Sequence, residues 1–117
     1  MPFRFEGLEI WQLARSYIEE IYGITARFPQ IELYGLASQL NRAANSVALN
    51  IAEGSGRDTR REFDRFLGIA IGSVFEVVSG LFLALDRRYI NEATHDLLYE
   101  EGDKLGRKIN SFRKTLR

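Results

Sequence analysis

The chain has no cysteine, one histidine and two prolines among its 117 residues. Without cysteine it forms no disulfide and offers no thiol nucleophile or thiolate ligand, and one histidine cannot supply a zinc-binding pair. Its 16 basic and 16 acidic residues give zero formal net charge, which argues against a surface that is basic throughout. The first residues lack the apolar run of a signal peptide. We therefore expect a cytoplasmic protein without a metal or other cofactor.

Apolar residues make up 45% of the chain and recur at steps of three and four, which is the period of a helix. This pattern predicts one all-α domain over residues 1–117, with helices at about 7–28, 35–53, 59–87 and 92–116. Pro29 is expected to end the first helix. Asn91 is a predicted N-cap for the last helix. The apolar seam of that helix is predicted to comprise Leu98, Leu105, Ile109, Phe112 and Leu116.

A polar segment with two glycines, residues 50–57 (NIAEGSGR), separates the second and third predicted helices; we call it the joint. Gly54 is expected to end the second helix in the left-handed conformation. Downstream, Thr59 and Glu62 predict a capping box in which each side chain satisfies a backbone donor.

The charges around the joint predict a structural polar network, because arginines stand close enough in sequence to neutralise the carboxylates. Acid–base catalysis by Glu53 and Glu62 is the alternative interpretation. We favour structure over catalysis and predict no enzyme activity. The predicted network comprises Asn50, Glu53, Arg57, Glu62, Arg65 and Glu76.

The third predicted helix is unusually apolar, since residues 67–85 contain one ionisable residue, Glu76. The run is long enough to cross a bilayer, but the central carboxylate and several glycines argue against insertion. Its small and polar residues are predicted to form one narrow stripe, with apolar side chains on all other faces. Another copy of the chain is therefore expected to cover residues such as Val74, Val77 and Leu81. The stripe comprises Gly68, Gly72, Glu76, Ser79 and Gly80.

Charges in the last predicted helix are segregated, with acids first and bases after them. Interaction with the helix dipole explains this order, and a phosphate-binding patch repeated by oligomer symmetry is the alternative. His95 lies in the acidic part and is expected to be solvated. The candidate nucleic-acid contacts are Lys104, Arg107, Lys108, Arg113 and Lys114, with Arg42, Arg60 and Arg61 as secondary ones.

Several segments resemble the bacterial four-helix-bundle proteins related to the 23S ribosomal RNA intervening-sequence protein family. They are LEIWQLA at 8–14, ELYGL at 32–36, QLNRAA at 39–44, the joint, EFDRFL at 62–67 and AIGS at 70–73. The chain departs from the family pattern at Asn41, where an arginine is common, and at Ala48-Leu49, where relatives commonly have Pro-Ala. The resemblance implies an antiparallel up-down-up-down four-helix bundle assembled as a homopentameric ring.

By the same resemblance, the function is expected to be that of a nucleic-acid-associated scaffold and not an enzyme. Two functions stay open. One is a homo-oligomer that binds RNA or RNA/DNA through basic surface patches. The other is a protein–protein interaction scaffold with no nucleic-acid role, which the neutral overall charge favours. Neither function involves a membrane.

Overall fold

The structure is a computed structural model that describes residues 2–117. Within that range the protein is all-helical, with four α-helices and no β-strand, so the predicted all-α class is confirmed. Two short 3-10 turns occur at Arg4–Gly7 and Gln30–Glu32. The helices are α1 (Glu9–Thr25), α2 (Leu36–Ser55), α3 (Arg60–Asp86) and α4 (Glu92–Lys114), which differ from the predicted ranges by a few residues at their ends.

Local chemistry sets the ends of the helices. The Thr59 hydroxyl accepts a hydrogen bond from the Glu62 amide at 3.1 Å, and the Asn91 side chain accepts one from the Thr94 amide at 2.8 Å. These are N-caps, which satisfy backbone donors that have no partner inside the helix. Beyond the end of α3, Arg88 adopts φ 61°, the left-handed conformation that turns the chain toward α4.

The molecule measures 43 × 23 × 22 Å, and its long dimension is close to the roughly 40 Å expected for the 27 residues of α3. Among the helix pairs that are in contact, α2 and α3 pack against each other most extensively, and α1 and α4 pack least. Tyr17 in α1 nevertheless joins α4, because its hydroxyl donates to the Leu98 carbonyl at 2.9 Å. Burial raises the pKa of this hydroxyl, so it stays protonated and keeps donating.

The expectation that another copy must cover Val74, Val77 and Leu81 is wrong, since all three are at most 3% exposed within one chain. The physical reason is the position of α3, which packs against both α2 and α4 and so has two apolar sides covered by its own chain. Other apolar residues of α3 remain exposed: Ile69, Phe75, Phe82 and Leu83.

The predicted small and polar stripe is only partly a surface feature. Gly72, Glu76 and Ser79 are exposed. Gly80, in contrast, is buried against Leu40, where an added Cβ would stand 2.6 Å from a methyl carbon. Gly68 lies beneath the guanidinium of Arg113. Gly68 and Gly80 therefore admit neighbouring side chains, and the stripe does not make one continuous face.

Within residues 2–117, α3 is the one helix long and apolar enough to cross a membrane by length and composition. A core helix of a soluble protein passes the same test. Leu67 and Ala70 of α3 are fully buried within the chain, which is what a core helix requires.

Candidate nucleic-acid interface

The joint brings α2 and α3 into close contact through Gly54. An added Cβ at Gly54 would stand 2.7 Å from the Cβ of Phe66 and 2.9 Å from the ring of Phe63. The predicted left-handed conformation is wrong, because α2 continues through Gly54 to Ser55 and no described glycine has a positive φ. A glycine is required here because α2 and α3 approach each other too closely to leave room for a side chain.

Half of the predicted capping box forms. Thr59 caps α3 as expected, but the Glu62 carboxylate turns away from the Thr59 amide and pairs with Arg65. The Nε of Arg65 donates to Glu62 Oε2 at 3.0 Å, and this hydrogen bond lowers the pKa of Glu62 below its usual range. An arginine one turn downstream thus offers the carboxylate a stronger, charged partner than the amide.

The structure divides the predicted polar network into separate parts. Two exposed ion pairs lie at the joint, Glu53 with Arg57 and Glu62 with Arg65. Their arginines lie over the same buried ring of Phe66, with guanidinium carbons 4.8 Å and 4.6 Å from its centroid. This arrangement covers an apolar ring with charged groups and leaves no enclosed acid–base pair.

Asn50 and Glu76 do not belong to that arrangement. The Asn50 amide donates at 2.8 Å to the carbonyl of Ser46, one turn earlier in α2. Ser46 in turn accepts a hydrogen bond at 2.8 Å from Ser73 of α3. Glu76 is exposed and has no side-chain hydrogen bond to any residue that the structure describes. The prediction of one continuous network is therefore wrong in its extent.

Most of the basic residues predicted as phosphate contacts in α4 are held by acids of the same chain. Arg107 pairs with Asp103 at 3.1 Å, and Lys108 pairs with Glu9 of α1 at 3.1 Å. Such pairs reduce the local positive potential that a phosphate would meet.

Arg113 has the best-defined partner of this group. Its Nε donates to Asp64 of α3 at 2.7 Å, in a position that is largely shielded from solvent. Arg117 approaches the same carboxylate oxygen at 3.5 Å. The hydrogen bond from Arg113 lowers the pKa of Asp64. Arg113 therefore ties α4 to α3 and is not free to bind phosphate.

Lys104 lies in an acidic cleft between α1 and α4, with a volume of about 220 Å³. Burial and the adjacent Glu20 raise the pKa of Glu101 to about 7, and Lys104 opposes that rise. The cleft therefore gains negative charge as the pH rises through 7, which disfavours phosphate beside Lys104.

Three of the candidate basic residues lie at one end of the bundle. The rings of Phe63 and Phe112 pack in a tilted arrangement, with centroids 5.4 Å apart, and bring the end of α4 beside the start of α3. Arg60, Arg61 and Lys114 are exposed here, and none forms an ion pair among residues 2–117. We call this the joint end. Its basic residues are Arg4, Arg57, Arg60, Arg61, Arg65, Arg113, Lys114 and Arg117, and its acidic residues are Glu6, Glu53, Asp58, Glu62 and Asp64.

Arg42, the remaining candidate, lies away from the joint end. It is exposed on α2. Its neighbour Asn41 accepts a hydrogen bond from the Thr25 hydroxyl, and Asn45 donates one to the Tyr22 hydroxyl. These contacts place Arg42 beside the second half of α1. The structure therefore places Arg60, Arg61 and Lys114 at the same end of the bundle and separates Arg42 from them.

Two features escaped sequence reasoning. At the end of the bundle opposite the joint, which we call the loop end, the Glu32 carboxylate accepts hydrogen bonds from the Leu36 amide at 3.0 Å and the Tyr89 hydroxyl at 2.8 Å. Arg87 lies 3.5 Å away, and these partners, the Leu36 amide first, lower the pKa of Glu32. We call this arrangement the Glu32 clasp. No local pattern reveals it, because Tyr89 is distant in sequence.

The second feature is His95, which was expected to be solvated and is only 5% exposed. Its ring lies 4.4 Å from that of Phe82, and Tyr99 stands one turn further along α4. The Nε2 atom has no hydrogen-bond partner among residues 2–117. The expectation failed because the acidic neighbours of His95 face solvent while its own position faces α3.

A crystal structure of a protein of unknown function from the S23 ribosomal protein family of Bacteroides thetaiotaomicron has this fold, with a TM-score of 0.80 at 18% sequence identity. The similarity covers 90% of this chain and 98% of that chain. No curated protein matches the sequence. The family model described as 23S rRNA-intervening sequence protein matches residues 6–111. The chain therefore belongs to the 23S rRNA-intervening sequence protein family, as its sequence motifs predicted.

Proposed function

We propose that this protein is a non-enzymatic, homo-oligomeric scaffold of the cytoplasm that binds RNA or another nucleic acid through the joint end. The observation that carries the proposal is the exposed group formed by Arg60, Arg61 and Lys114, which has no ion-pair partner within residues 2–117. The family description names 23S rRNA, which makes RNA the first ligand to test.

The joint end has the chemistry that phosphate binding requires. Exposed arginines present planar donors that match phosphate oxygens. The N-terminus of α3 begins at the same place and adds the partial positive charge of its unpaired amides. A neutral chain binds weakly through one such patch, but an oligomer repeats the patch and gains affinity by multivalency.

The proposed assembly is a homopentameric ring of up-down-up-down bundles. The up-down alternation of the helices is supported by a contact between residues that are distant in sequence. Glu9, near the start of α1, pairs with Lys108, near the end of α4. Association is supported by large apolar side chains at the surface, of which Phe75 on α3 is 72% exposed. The number of subunits is proposed from family resemblance and is tested by the particle mass in solution.

Binding is tested by titrating the protein into a structured RNA and a duplex DNA at about 50 mM and 200 mM salt. The joint-end variant carries Arg60→Gln, Arg61→Gln and Lys114→Gln. A matched variant carries Lys104→Gln, Arg107→Gln and Lys108→Gln, which removes the same charge from the α4 surface. We expect the joint-end variant to lose at least about tenfold in affinity. The slope of the logarithm of the binding constant against the logarithm of the salt concentration should become less negative by about two to three, because up to three phosphate contacts are gone.

The matched variant is expected to retain most of the affinity, since its lysines and arginine face acids of the same chain. A larger loss of affinity in the matched variant than in the joint-end variant would mean that the interface lies on α4. Absence of affinity for either nucleic acid at about 50 mM salt would remove the nucleic-acid function altogether.

A protein–protein scaffold without nucleic-acid binding is the second candidate. It is favoured by the exposed apolar side chains of the α1–α2 loop, Ile31 and Tyr34. A pull-down in which nuclease treatment leaves the recovered partner unchanged would support this function over the first.

A further inference from the structure

The helices α1 and α4 meet along a seam that is the least extensive of the contacts between α-helices. Two polar contacts cross this seam. The Tyr17 hydroxyl donates to the Leu98 carbonyl at 2.9 Å, and Lys108 pairs with Glu9 at 3.1 Å. Because few residues meet here, the seam is the helix contact whose strength depends most on any charges placed within it.

The acidic cleft of about 220 Å³ lies within this seam. Its base is apolar and buried, since Tyr17 is 3% exposed and Leu105 is 2% exposed. Two carboxylates line the cleft, Glu20 from α1 and Glu101 from α4. Lys104 is the only cation among the described residues that line it. The cleft therefore carries a net negative charge whenever both carboxyl groups are ionised.

Two carboxylates in one small cleft disfavour each other's ionised form, because like charges repel and the apolar base of the cleft hydrates them poorly. One proton held between them replaces the repulsion by a hydrogen bond from a carboxyl group to a carboxylate. The pKa of Glu101 agrees with this arrangement. Burial, the hydrogen bond with Glu20 and the charge of Glu20 together raise it to about 7.

The other titratable and charged groups at the seam do not take the place of that proton. The Tyr17 hydroxyl of α1 already donates to a backbone carbonyl, and burial followed by the two carboxylates raises its pKa. Further along α4, Lys108 is paired with Glu9. Lys104 is exposed, and it lowers the pKa of Glu101 by less than the other groups raise it. The two carboxyl groups therefore set the charge of the cleft.

The pair changes its charge near neutral pH. An ordinary glutamate titrates at about 4.3 and stays ionised throughout the neutral range. Glu101, in contrast, gains or loses its proton within that range. Because its partner Glu20 belongs to the opposite helix, each change of charge also changes the force between α1 and α4.

We propose that Glu20 and Glu101 form a proton-dependent latch between α1 and α4. With one proton between them, the carboxyl groups bond across the cleft and hold the two helices together. Without that proton, two carboxylates face each other and the seam loosens. The latch belongs to a single chain, so it does not depend on nucleic-acid binding or on assembly.

Glu101→Gln tests the latch, because the amide can still donate a hydrogen bond to Glu20 but cannot ionise. Circular dichroism measures the midpoint of thermal unfolding of this variant and of the unsubstituted protein from about pH 4.5 to about pH 8.5. The pKa of Glu101 is higher in the folded state than in the unfolded state, so the unsubstituted protein loses stability as the pH rises from about 4.3 to about 7. We expect the variant to gain roughly 2 °C or more on it over that interval and nothing further above it.

Glu100→Gln is the matched control. It removes the same charge from the neighbouring position of α4, which is exposed and does not line the cleft. Its unfolding midpoint should follow that of the unsubstituted protein at every pH. A constant difference between Glu101→Gln and the unsubstituted protein over the whole range would overturn the latch. An equal gain by Glu100→Gln would overturn it as well, because the effect would then arise from net charge alone.

Carbon NMR of the side-chain carboxyl groups tests the pairing directly. Glu101 should titrate near pH 7 in the unsubstituted protein. Glu20→Gln should lower that midpoint, because it removes the repelling charge, and Lys104→Met should raise it, because it removes the cation that favours the ionised form. An unchanged midpoint in Glu20→Gln would mean that burial acts alone, and the latch between two helices would be refuted.

Hydrogen exchange of backbone amides shows whether the seam itself loosens. The unsubstituted protein and Glu101→Gln are compared at the same pH, so that the intrinsic exchange rates are equal. At about pH 8.5, amides of α1 should exchange about threefold or more faster in the unsubstituted protein, and amides of α2 should differ less. At about pH 5 the two proteins should exchange alike. Equal rates in α1 at both pH values would show that the pair titrates without moving the helices, which contradicts the latch.

Discussion

The two ends of the bundle are held together by different means. At the joint end, the ion pairs of Glu53 with Arg57 and Glu62 with Arg65 are exposed and join residues three or four apart. At the loop end, the carboxylate of Glu32 is only 15% exposed and receives the Tyr89 hydroxyl from a distant part of the chain. At the joint end the long-range polar contacts of the charged side chains are those of Asp64 with Arg113 and Arg117, while the other ion pairs there are local.

The difference shows that charge density is a poor guide to what stabilises an end. Exposed pairs within one helix contribute about 0.3–0.5 kcal/mol each. The joint end depends instead on the close packing of Gly54 against Phe63 and Phe66 and on the ion pair between Asp64 and Arg113. Its exposed charges are consequently available for binding another molecule.

Gly54→Ala tests the role of packing at the joint end and should have the largest effect. The added Cβ would meet Phe66 and Phe63 below 3 Å, so we expect a loss of about 1–3 kcal/mol in the free energy of unfolding. Gly72→Ala is the matched control, because no atom lies within 4 Å of its added Cβ; it should raise stability by up to about 1 kcal/mol. Urea unfolding followed by circular dichroism measures both. Equal effects of the two substitutions would mean that α2 and α3 are not in close contact at Gly54.

Asp64→Asn tests the ion pair between α3 and α4 and should cost about 1 kcal/mol at pH 7. The Arg113 hydrogen bond lowers the pKa of Asp64 in the folded state, so its contribution is present above the unfolded pKa of about 4 and is lost as the pH falls through the folded value. The stability difference between the two proteins should therefore disappear in acid. Glu53→Gln, in an exposed pair, should change stability by less than about 0.5 kcal/mol. A larger loss for Glu53→Gln than for Asp64→Asn would reverse our comparison of local and long-range pairs.

Gly35→Ala examines the loop end and should have the smallest effect of the three. The obstacle to its Cβ is the tip of the Glu32 side chain, which can move at the expense of the clasp. We expect the midpoint of thermal unfolding to fall by a few degrees. In a Glu32→Ala background the same substitution should cost less, because the obstacle is gone. An unchanged cost in that background would mean that Gly35 acts through the backbone and not through the clasp.

The helices and the last apolar seam could be predicted because they follow from local patterns. Leu98, Leu105 and Ile109 of the predicted seam are buried as expected, and Phe112 and Leu116 are partly buried against the core. The caps Thr59 and Asn91 were also predicted, since a cap satisfies a donor only three residues away. These features need no knowledge of how the helices are arranged.

The candidate site was predicted less well because its chemistry depends on contacts between helices. Lys108 and Arg113 were expected to bind phosphate, but their acidic partners come from α1 and α3. Val77 and Leu81 were expected to need another copy, but two helices of the same chain cover α3. The periodicity of one helix does not reveal which residues of other helices contact it. Arg60 and Arg61 remain exposed because they stand at the first two positions of α3.

The Glu32 clasp has a consequence for the order in which the chain folds. The joint connects α2 and α3, whose contacts are extensive and require only a short loop to close. The clasp joins residues 32 and 89, which are separated by 57 positions. It forms only after the segments before α2 and after α3 have come together. We therefore expect folding to nucleate at the hairpin of α2 and α3 and the loop end to close late, because closing the longer loop costs more entropy.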